Sequence, residues 1–356
     1  MEREIVLSVV IPVYNGSKYL DRMIKMLDHQ TFRRFEVIFV DDGSLDDTYK
    51  RCKEYGKNRP YIHVIRQDNQ GVSHARNAGI QAARGKWIQF IDVDDVIRED
   101  MFACFSKKLV ERTDTDVKSE NAEAELAVCG CVRRMAGSSV LCGPKKNEYL
   151  LRKGIIELFR EMKMENRYWI LDYTWNKWYR KDIIEHFNIR FPENLSLGED
   201  FVFNTQYIRH INSLVLIPEY CYEYEVHEDG LASRFQERPW EVRKILYDNQ
   251  RGLYQTFEIW DAAIPEIRRQ YGQIYWGDIR QINSRGCRLN GRQRLKFIRR
   301  MAADEMFDMI PDYLSTKKGA AYKIYRAVFK THNVYLIYTI IRLEKLKSLF
   351  LCSGRV

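Results

Sequence analysis

The sequence predicts an α/β fold: a mostly parallel sheet with helices on both faces, followed by a mainly helical C-terminal region. Three observations predict it. Branched apolar runs alternate with stretches of helical apolar spacing over the first 110 residues. The runs are continuous rather than alternating, the pattern of strands buried on both faces. Polar residues gather just beyond three of the runs, where open parallel sheets bind ligands.

The first strand is read over Ile5 to Val13, Ile-Val-Leu-Ser-Val-Val-Ile-Pro-Val. Ser17 is placed to cap the helix that follows, whose Tyr19, Leu20, Met23, Ile24 and Leu27 keep helical spacing. A second buried strand, Phe35 to Val40, stops at Asp41-Asp42-Gly43-Ser44, and Asp46 or Asp47 can cap a helix toward Tyr55. Ile62 to Ile65 reads as a third strand, Ser73 to Ala83 as a helix closed by Gly85, and Trp87 to Ile91 as a fourth strand. Strand-helix alternation of this length implies a parallel sheet. Residues 112–126 are polar and aperiodic, a surface loop before a strand over Leu126 to Arg133. Residues 150–165 read as an amphipathic helix, and residues 240–356 are mostly helical by pattern.

Composition bounds the function. With 356 residues, 45% hydrophobic and 30% charged, the chain is neither disordered nor fibrous. Its length suggests about two domains. Eight cysteines include no Cys-x-x-Cys pair, only Cys129-x-Cys131, so reduced thiols are expected rather than a zinc site or a disulfide scaffold. Met1-Glu2-Arg3-Glu4 leads into no signal-type segment. The most apolar stretch, Val334 to Cys352, is broken by Arg342, Glu344, Lys345 and Lys347, short of the roughly 18 apolar residues a spanning helix needs. A cytoplasmic location is expected. Residues 241–356 carry 22 Lys and Arg against 11 Asp and Glu, a net charge of +11 within a chain total of +9. This asymmetry points to an anionic partner. Arg285 to Arg300 has seven basic and no acidic residues, and Leu336, Ile340, Leu343, Leu346 and Phe350 form an apolar stripe beside further cations. The pattern fits either peripheral contact with the inner face of a membrane or a helix packed on the protein with a solvated face. Nucleic acid is not an expected partner, because no DNA- or RNA-binding motif is present.

Three motifs can carry chemistry. Asp92-Val93-Asp94 follows a buried strand and can hold a divalent metal with diphosphate oxygens. Its alternative is a turn in which Asp94 or Asp95 caps a helix from Arg98 onward. Asp41-Asp42-Gly43-Ser44 can accept a hydrogen bond from a base N–H or a ribose hydroxyl, or simply form a β-turn. Asn69-Gln70-Gly71-Val72-Ser73-His74-Ala75-Arg76-Asn77-Ala78-Gly79 leads a loop into a helix N-terminus, which favours anions, with Arg76 able to fork onto a phosphate or lie on the surface.

In this order, together with Val9-Val10-Ile11-Pro12-Val13-Tyr14-Asn15 and Phe90-Ile91-Asp92-Val93-Asp94-Asp95, these segments resemble the family 2 glycosyltransferases, bacterial enzymes of the GT-A fold. The resemblance is close over the first 110 residues. It resumes at Trp175-Asn176-Lys177-Trp178-Tyr179-Arg180 and Leu197-Gly198-Glu199-Asp200-Phe201-Val202-Phe203-Asn204, and fades after about residue 235. It implies a GT-A catalytic domain over residues 1–235, with a nucleotide-binding half (1–110) and an acceptor-binding half (126–235), ahead of a basic region 236–356. It implies a nucleotide-diphosphate sugar donor, usually a UDP-sugar, inversion at the anomeric carbon, Mn²⁺ or Mg²⁺, and a polysaccharide or glycolipid acceptor.

Carried onto this sequence, the resemblance implies that Pro12, Val13 and Tyr14 line the base pocket and that Asp41 binds the uracil. Gly71, Arg76, Asp92 and Val93 would bind the nucleotide-sugar, and Asp94 the metal. Asp200 would be the general base, with Glu199 orienting it or the acceptor. His227 would lie near the diphosphate or metal. The chemistry agrees: a metal and an arginine stabilise a departing diphosphate, and a carboxylate takes the acceptor proton. Ser196-Leu197-Gly198-Glu199 also fits a helix capping box, which would occupy Glu199 and leave Asp200 free. Lys177 reads equally as a structural lysine or an acceptor contact. Two competing functions are a non-catalytic nucleotide-sugar- or glycan-binding membrane module and a metal-dependent nucleotidyltransferase.

Overall fold

The computed structural model describes residues 4–110, 124–135, 137–163, 167, 169–195, 197–226, 235–284 and 286–353. The chain divides into two compact units, Met1–His227 and Glu228–Val356.

The first unit is built on β1 (Leu7–Val13), buried along its whole length. Successive strand residues point to opposite faces. Leu7, Val9, Ile11 and Val13 enter one core with Leu20, Met23, Ile24 and Leu27 of α1 (Leu20–Asp28). Ser17 does not cap α1, because a 3₁₀ turn over Ser17–Tyr19 intervenes. β1 is flanked by β2 (Phe35–Asp42), and β2 by β3 (Ile62–Gln67), all parallel. Between these two strands runs α2 (Thr48–Lys57), at whose start Asp46 accepts the Thr48 backbone N–H at 3.0 Å.

The opposite face of β1 receives α3 (Val72–Ala82). Val10 points to this face, and a Cβ on Gly79 would lie 2.2 Å from Val10 Cγ1. Glycine therefore sets how closely this helix approaches the sheet. β4 (Trp87–Phe90) returns parallel to β1 on the side away from β2. Chain direction across the sheet reverses between β1 and β4, so the carboxyl ends of these strands flank a topological switch point, where such sheets bind ligands.

Beyond β4 the sheet becomes mixed. A short β5 (Val96–Ile97) precedes α4 (Met101–Val110), so neither Asp94 nor Asp95 caps a helix. β6 (Leu126–Met135) is extended by β7 (Ser138–Cys142). β8 (Glu148–Leu151) leads into α5 (Arg152–Arg160), a shorter helix than the periodicity over 150–165 suggests. β9 (Lys177–Arg180) runs antiparallel between β4 and β6 and is followed by α6 (Lys181–His186). α7 (Glu199–Ile208) begins at Glu199 with Gly198 as its left-handed N-cap, φ 85°, so Glu199 is not the third residue of a capping box. β10 (Ser213–Glu225) lies parallel to β6. The full order is β3-β2-β1-β4-β9-β6-β10-β5, and its longest pairings are parallel. Fold class and helices on both faces are as the sequence predicts.

The second unit is helical, over 239–256, 260–280, 291–302, 310–315, 320–329 and 334–353. Within the apolar stripe, Ile340 is buried while Leu336 and Leu343 are exposed; the side chains of Leu346 and Phe350 lie outside the described residues.

Gly79→Ala is expected to destabilise the first unit by about 1–3 kcal/mol, the usual effect of overpacking a close contact. Urea denaturation followed by tryptophan fluorescence measures it.

Candidate active site

Asp41 and Asp42 end β2 on opposite faces and have different fates. Asp42 accepts from Gln67 Nε2 at 2.8 Å and from the backbone N–H groups of Gln70 (3.0 Å) and Gly71 (2.8 Å). It thereby shapes the turn into α3, where Gly71 adopts φ 94° with nothing within 4 Å of where a Cβ would stand. Asp41 is fully buried, and neither carboxylate oxygen has a hydrogen-bond partner among the described residues; Arg66 Nε approaches to 3.3 Å. A buried carboxylate in this condition is unfavourable unless a ligand supplies a donor.

One turn into α3, Arg76 is 4% exposed. Its Nη1 donates to Asp200 Oδ1 at 2.8 Å and to Glu199 Oε1 at 3.0 Å; its Nη2 donates to Asp92 Oδ1 at 3.1 Å. The guanidinium also lies 5.2 Å from the Phe191 ring centroid, a cation–π distance. Four of the sequence-predicted residues, Arg76, Asp92, Glu199 and Asp200, thus form one ionic cluster drawn from α3, the loop after β4 and α7.

Asp200 is gripped on both oxygens. Arg76 holds Oδ1, while Thr174 donates to Oδ2 through Oγ1 at 3.1 Å and through its backbone N–H at 3.3 Å. Burial pushes this carboxyl up to about 7; Arg76 opposes the shift, and Glu199 and Asp92 add to it.

The acids after β4 separate by face. Val93 packs into the core, and Asp92 and Asp94 stay partly open. Asp95 is 2% exposed and accepts from the Tyr222 hydroxyl at 2.6 Å, which itself accepts the Asp92 backbone N–H at 3.3 Å. Burial, with repulsion from Asp92 and Asp94, holds the Asp95 carboxyl well above the usual range. Tyr222 stacks on Trp175 at 4.2 Å.

A divalent cation fits this surplus of acid. Asp94, with Asp92 beside it, offers the hard oxygen donors that Mg²⁺ or Mn²⁺ takes alongside phosphate. Among the described residues no group of three or more His, Cys, Asp or Glu could hold a metal by itself, so phosphate and water would supply the remaining ligands.

The other predicted residues are placed differently. Pro12 and Val13 are buried in β1, leaving mainly backbone to a ligand, whereas Tyr14 is 48% exposed at the strand end. His227 lies outside the described residues. Lys177 is wholly buried and donates to backbone and amide oxygens, which assigns it to the interior; burial pushes its ammonium down to about 7. Asp42, Thr174, Asp95 and Tyr222 are the site-building residues whose roles sequence reasoning misses. The alternation Tyr220, Tyr222, Tyr224 is the one signal that marks Tyr222 as a strand residue with a fixed face.

The chain belongs to glycosyl transferase family 2, whose sequence profile matches residues 8–187. It is 31% identical to the putative glycosyltransferase EpsH of Bacillus subtilis over 74% of this chain and 72% of that protein. It is 29% identical to the uncharacterized glycosyltransferase EpsJ of the same organism over 63% of this chain. That match spans 62% of EpsJ, less than two thirds of its length. Among solved structures, S. aureus TarS 1-349 superimposes with a TM-score of 0.64 at 18% identity, covering 96% of this chain and 92% of that one. TarS has also been solved in complex with UDP and with UDP-GlcNAc.

The raised Asp200 pKa has a stability consequence. Between about pH 4 and 7 the folded chain binds a proton there that the unfolded chain releases, so the contribution of Asp200 to stability falls as pH rises through this window. Asp200→Asn cannot ionise. Its melting temperature is therefore expected to fall less steeply than that of the native chain as pH rises from about 4 to 7, in scanning calorimetry.

Proposed function

We propose that the chain moves a sugar, with inversion at the anomeric carbon, from a nucleotide-diphosphate donor to a hydroxyl of a surface polysaccharide or lipid-linked glycan. The observation that carries this reading is the Arg76 fork, which joins Asp92, on the proposed donor side, to Asp200 within one hydrogen-bonded cluster. The UDP and UDP-GlcNAc complexes of TarS support a UDP-sugar as donor.

In this mechanism Asp41 accepts the base N–H, meeting its unfilled hydrogen-bonding capacity, while Tyr14 and the backbone of Pro12 and Val13 border the base. The open space at Gly71 admits the donor phosphates to the N-terminus of α3. Asp92 and Val93 border the ribose and sugar, and Asp94 holds the metal; His227 is assigned to the diphosphate. When bound, Mn²⁺ or Mg²⁺ supplies electrostatic stabilisation of the leaving diphosphate. Asp200 takes the acceptor proton as the acceptor oxygen bonds to the anomeric carbon. The sugar–phosphate bond breaks on the opposite side, and its electron pair leaves with the nucleotide. A base titrating near 7 is matched to neutral pH. Arg76 and Thr174 orient that carboxylate, and Glu199 borders the acceptor.

Residues 1–110 form the donor half and 126–235 the acceptor half. Among the described residues no helix is long and apolar enough to cross a membrane. The net charge of +11 over residues 241–356 supports peripheral contact with an anionic membrane at the cytoplasmic face.

Asp200→Asn is expected to bind UDP as the native chain does and to lose turnover by ~10² or more; a UDP-release assay across a UDP-sugar panel measures it. Unchanged turnover would overturn the assignment of the base. Turnover of the native chain is expected to rise with pH through about 7, as the Asp200 carboxylate forms. Asp94→Ala, or chelation, is expected to abolish turnover, with Mn²⁺ restoring activity only to the native chain.

A further inference from the structure

We propose that Lys177 is a positioning residue: from β9 it clamps the turn over residues 169–174, whose Thr174 orients Asp200. The inference rests on the role given to Asp200 above and extends it to a motif whose chemistry the family resemblance leaves open.

Lys177 is 0% exposed. Its ammonium has three hydrogens and meets three acceptors: the Trp169 carbonyl at 2.9 Å, the Asn176 side-chain oxygen at 2.8 Å and the Tyr173 carbonyl. A neutral amine, with two hydrogens, cannot fill the set, so the three acceptors favour the charged form and oppose the downward push of burial. The neighbouring Asn176 donates to the same Trp169 carbonyl at 3.0 Å and to Cys129 O at 2.8 Å, tying the turn to β6. From α7, Asn204 donates to the Leu171 carbonyl at 2.7 Å and the Tyr173 carbonyl at 2.9 Å, and Tyr179 of β9 orients that amide at 2.6 Å. The carbonyls of 169, 171 and 173 are thus all held by side chains from β9 and α7.

The next residue is Thr174, which contacts Asp200. Asp200 and Asn204 are four apart on α7 and share a face, so one helix grips the turn at two points while Lys177 holds it from the sheet. A methionine would fill the same space but supply no donor. Burying a cation against carbonyls alone is costly, and here the ammonium sets the backbone geometry that delivers Thr174 to the base.

The test compares Lys177→Met, Thr174→Val and Thr174→Ser. UDP binding is followed by calorimetry, and kcat, KM and the pH profile with whichever of UDP-glucose, UDP-galactose, UDP-GlcNAc or UDP-GalNAc the native chain consumes. Charged or titratable groups facing Asp200 are Arg76, Glu199, Asp92, Lys177 and Tyr179. Lys177→Met and Thr174→Val are expected to keep UDP affinity and donor KM within about twofold. Both lose kcat by roughly 10- to 100-fold, the scale for misplacing a catalytic group. The acidic limb of their profile moves to higher pH as donors to the carboxylate are lost, and Thr174→Ser restores the native values. A purely structural lysine would lower the melting temperature and leave kcat and the limb unmoved, which overturns the proposal. Should Lys177→Met not fold, native kinetics in Thr174→Val would overturn it equally. A native chain that consumes no donor, or an unaffected Asp200→Asn, would instead defeat the proposed reaction itself.

Discussion

One buried cation organises the first unit. Arg76 is surrounded by Asp92, Glu199 and Asp200, which come from elements far apart along the chain. Removing an arginine from water is costly unless its donors are matched, and gathering three acids is costly unless a cation sits among them. Each half of the cluster therefore stabilises the other. The close seating of α3 against Val10, made by Gly79, delivers the arginine, while the end of β4 and the start of α7 deliver the acids.

The balance is incomplete, and that is its chemical content. One guanidinium faces three carboxylates, so negative charge remains in surplus. Burial pushes the Asp200 carboxyl up to about 7 against the pull of Arg76 and holds the Asp95 carboxyl well above its usual range, and neighbouring carboxylates add to both shifts. A site that leaves charge to be neutralised is receptive to a cation and a hydrogen-bonding substrate, at some expense in stability of the empty fold. The stack of Tyr173, Trp175 and Tyr222 gives this polar cluster a rigid floor, with Tyr222 reaching from that stack to the Asp95 carboxylate.

The family match ends at residue 187, short of Glu199 and Asp200. The tie between the matched stretch and the acids beyond it is physical: Arg76 lies inside the match and bonds to both. The Thr174–Asp200 contact does the same from the other side. What unites the site is a set of hydrogen bonds bridging more than a hundred residues of chain, not a contiguous motif.

Local information was sufficient for the first four strands: β1, β2 and β4 are apolar runs that read as doubly buried without knowledge of their neighbours, and β3, a partly exposed edge strand, is marked by its branched residues and by its place in the strand-helix alternation. Residue type and position past a strand end also marked Arg76 and the acids after β2 and β4 as candidates, whereas the choice of Asp41 and Asp200 came from the resemblance to family 2 glycosyltransferases. Local information failed for β9 and β10. The first is only four residues long; the second contains Pro218 and two register shifts, which break the period on which reading depends. It also failed to tell Asp41 from Asp42, or to decide the place of Lys177. Adjacent acids look alike along a chain, and only the pleat sends one into a turn and leaves the other buried beside Arg66 with no hydrogen-bond partner among the described residues. The residues themselves determined which chemical groups the protein owns. Tertiary structure decided which of them meet, because hydrogen bonds and ion pairs depend on distance in space, and chain separation does not encode it.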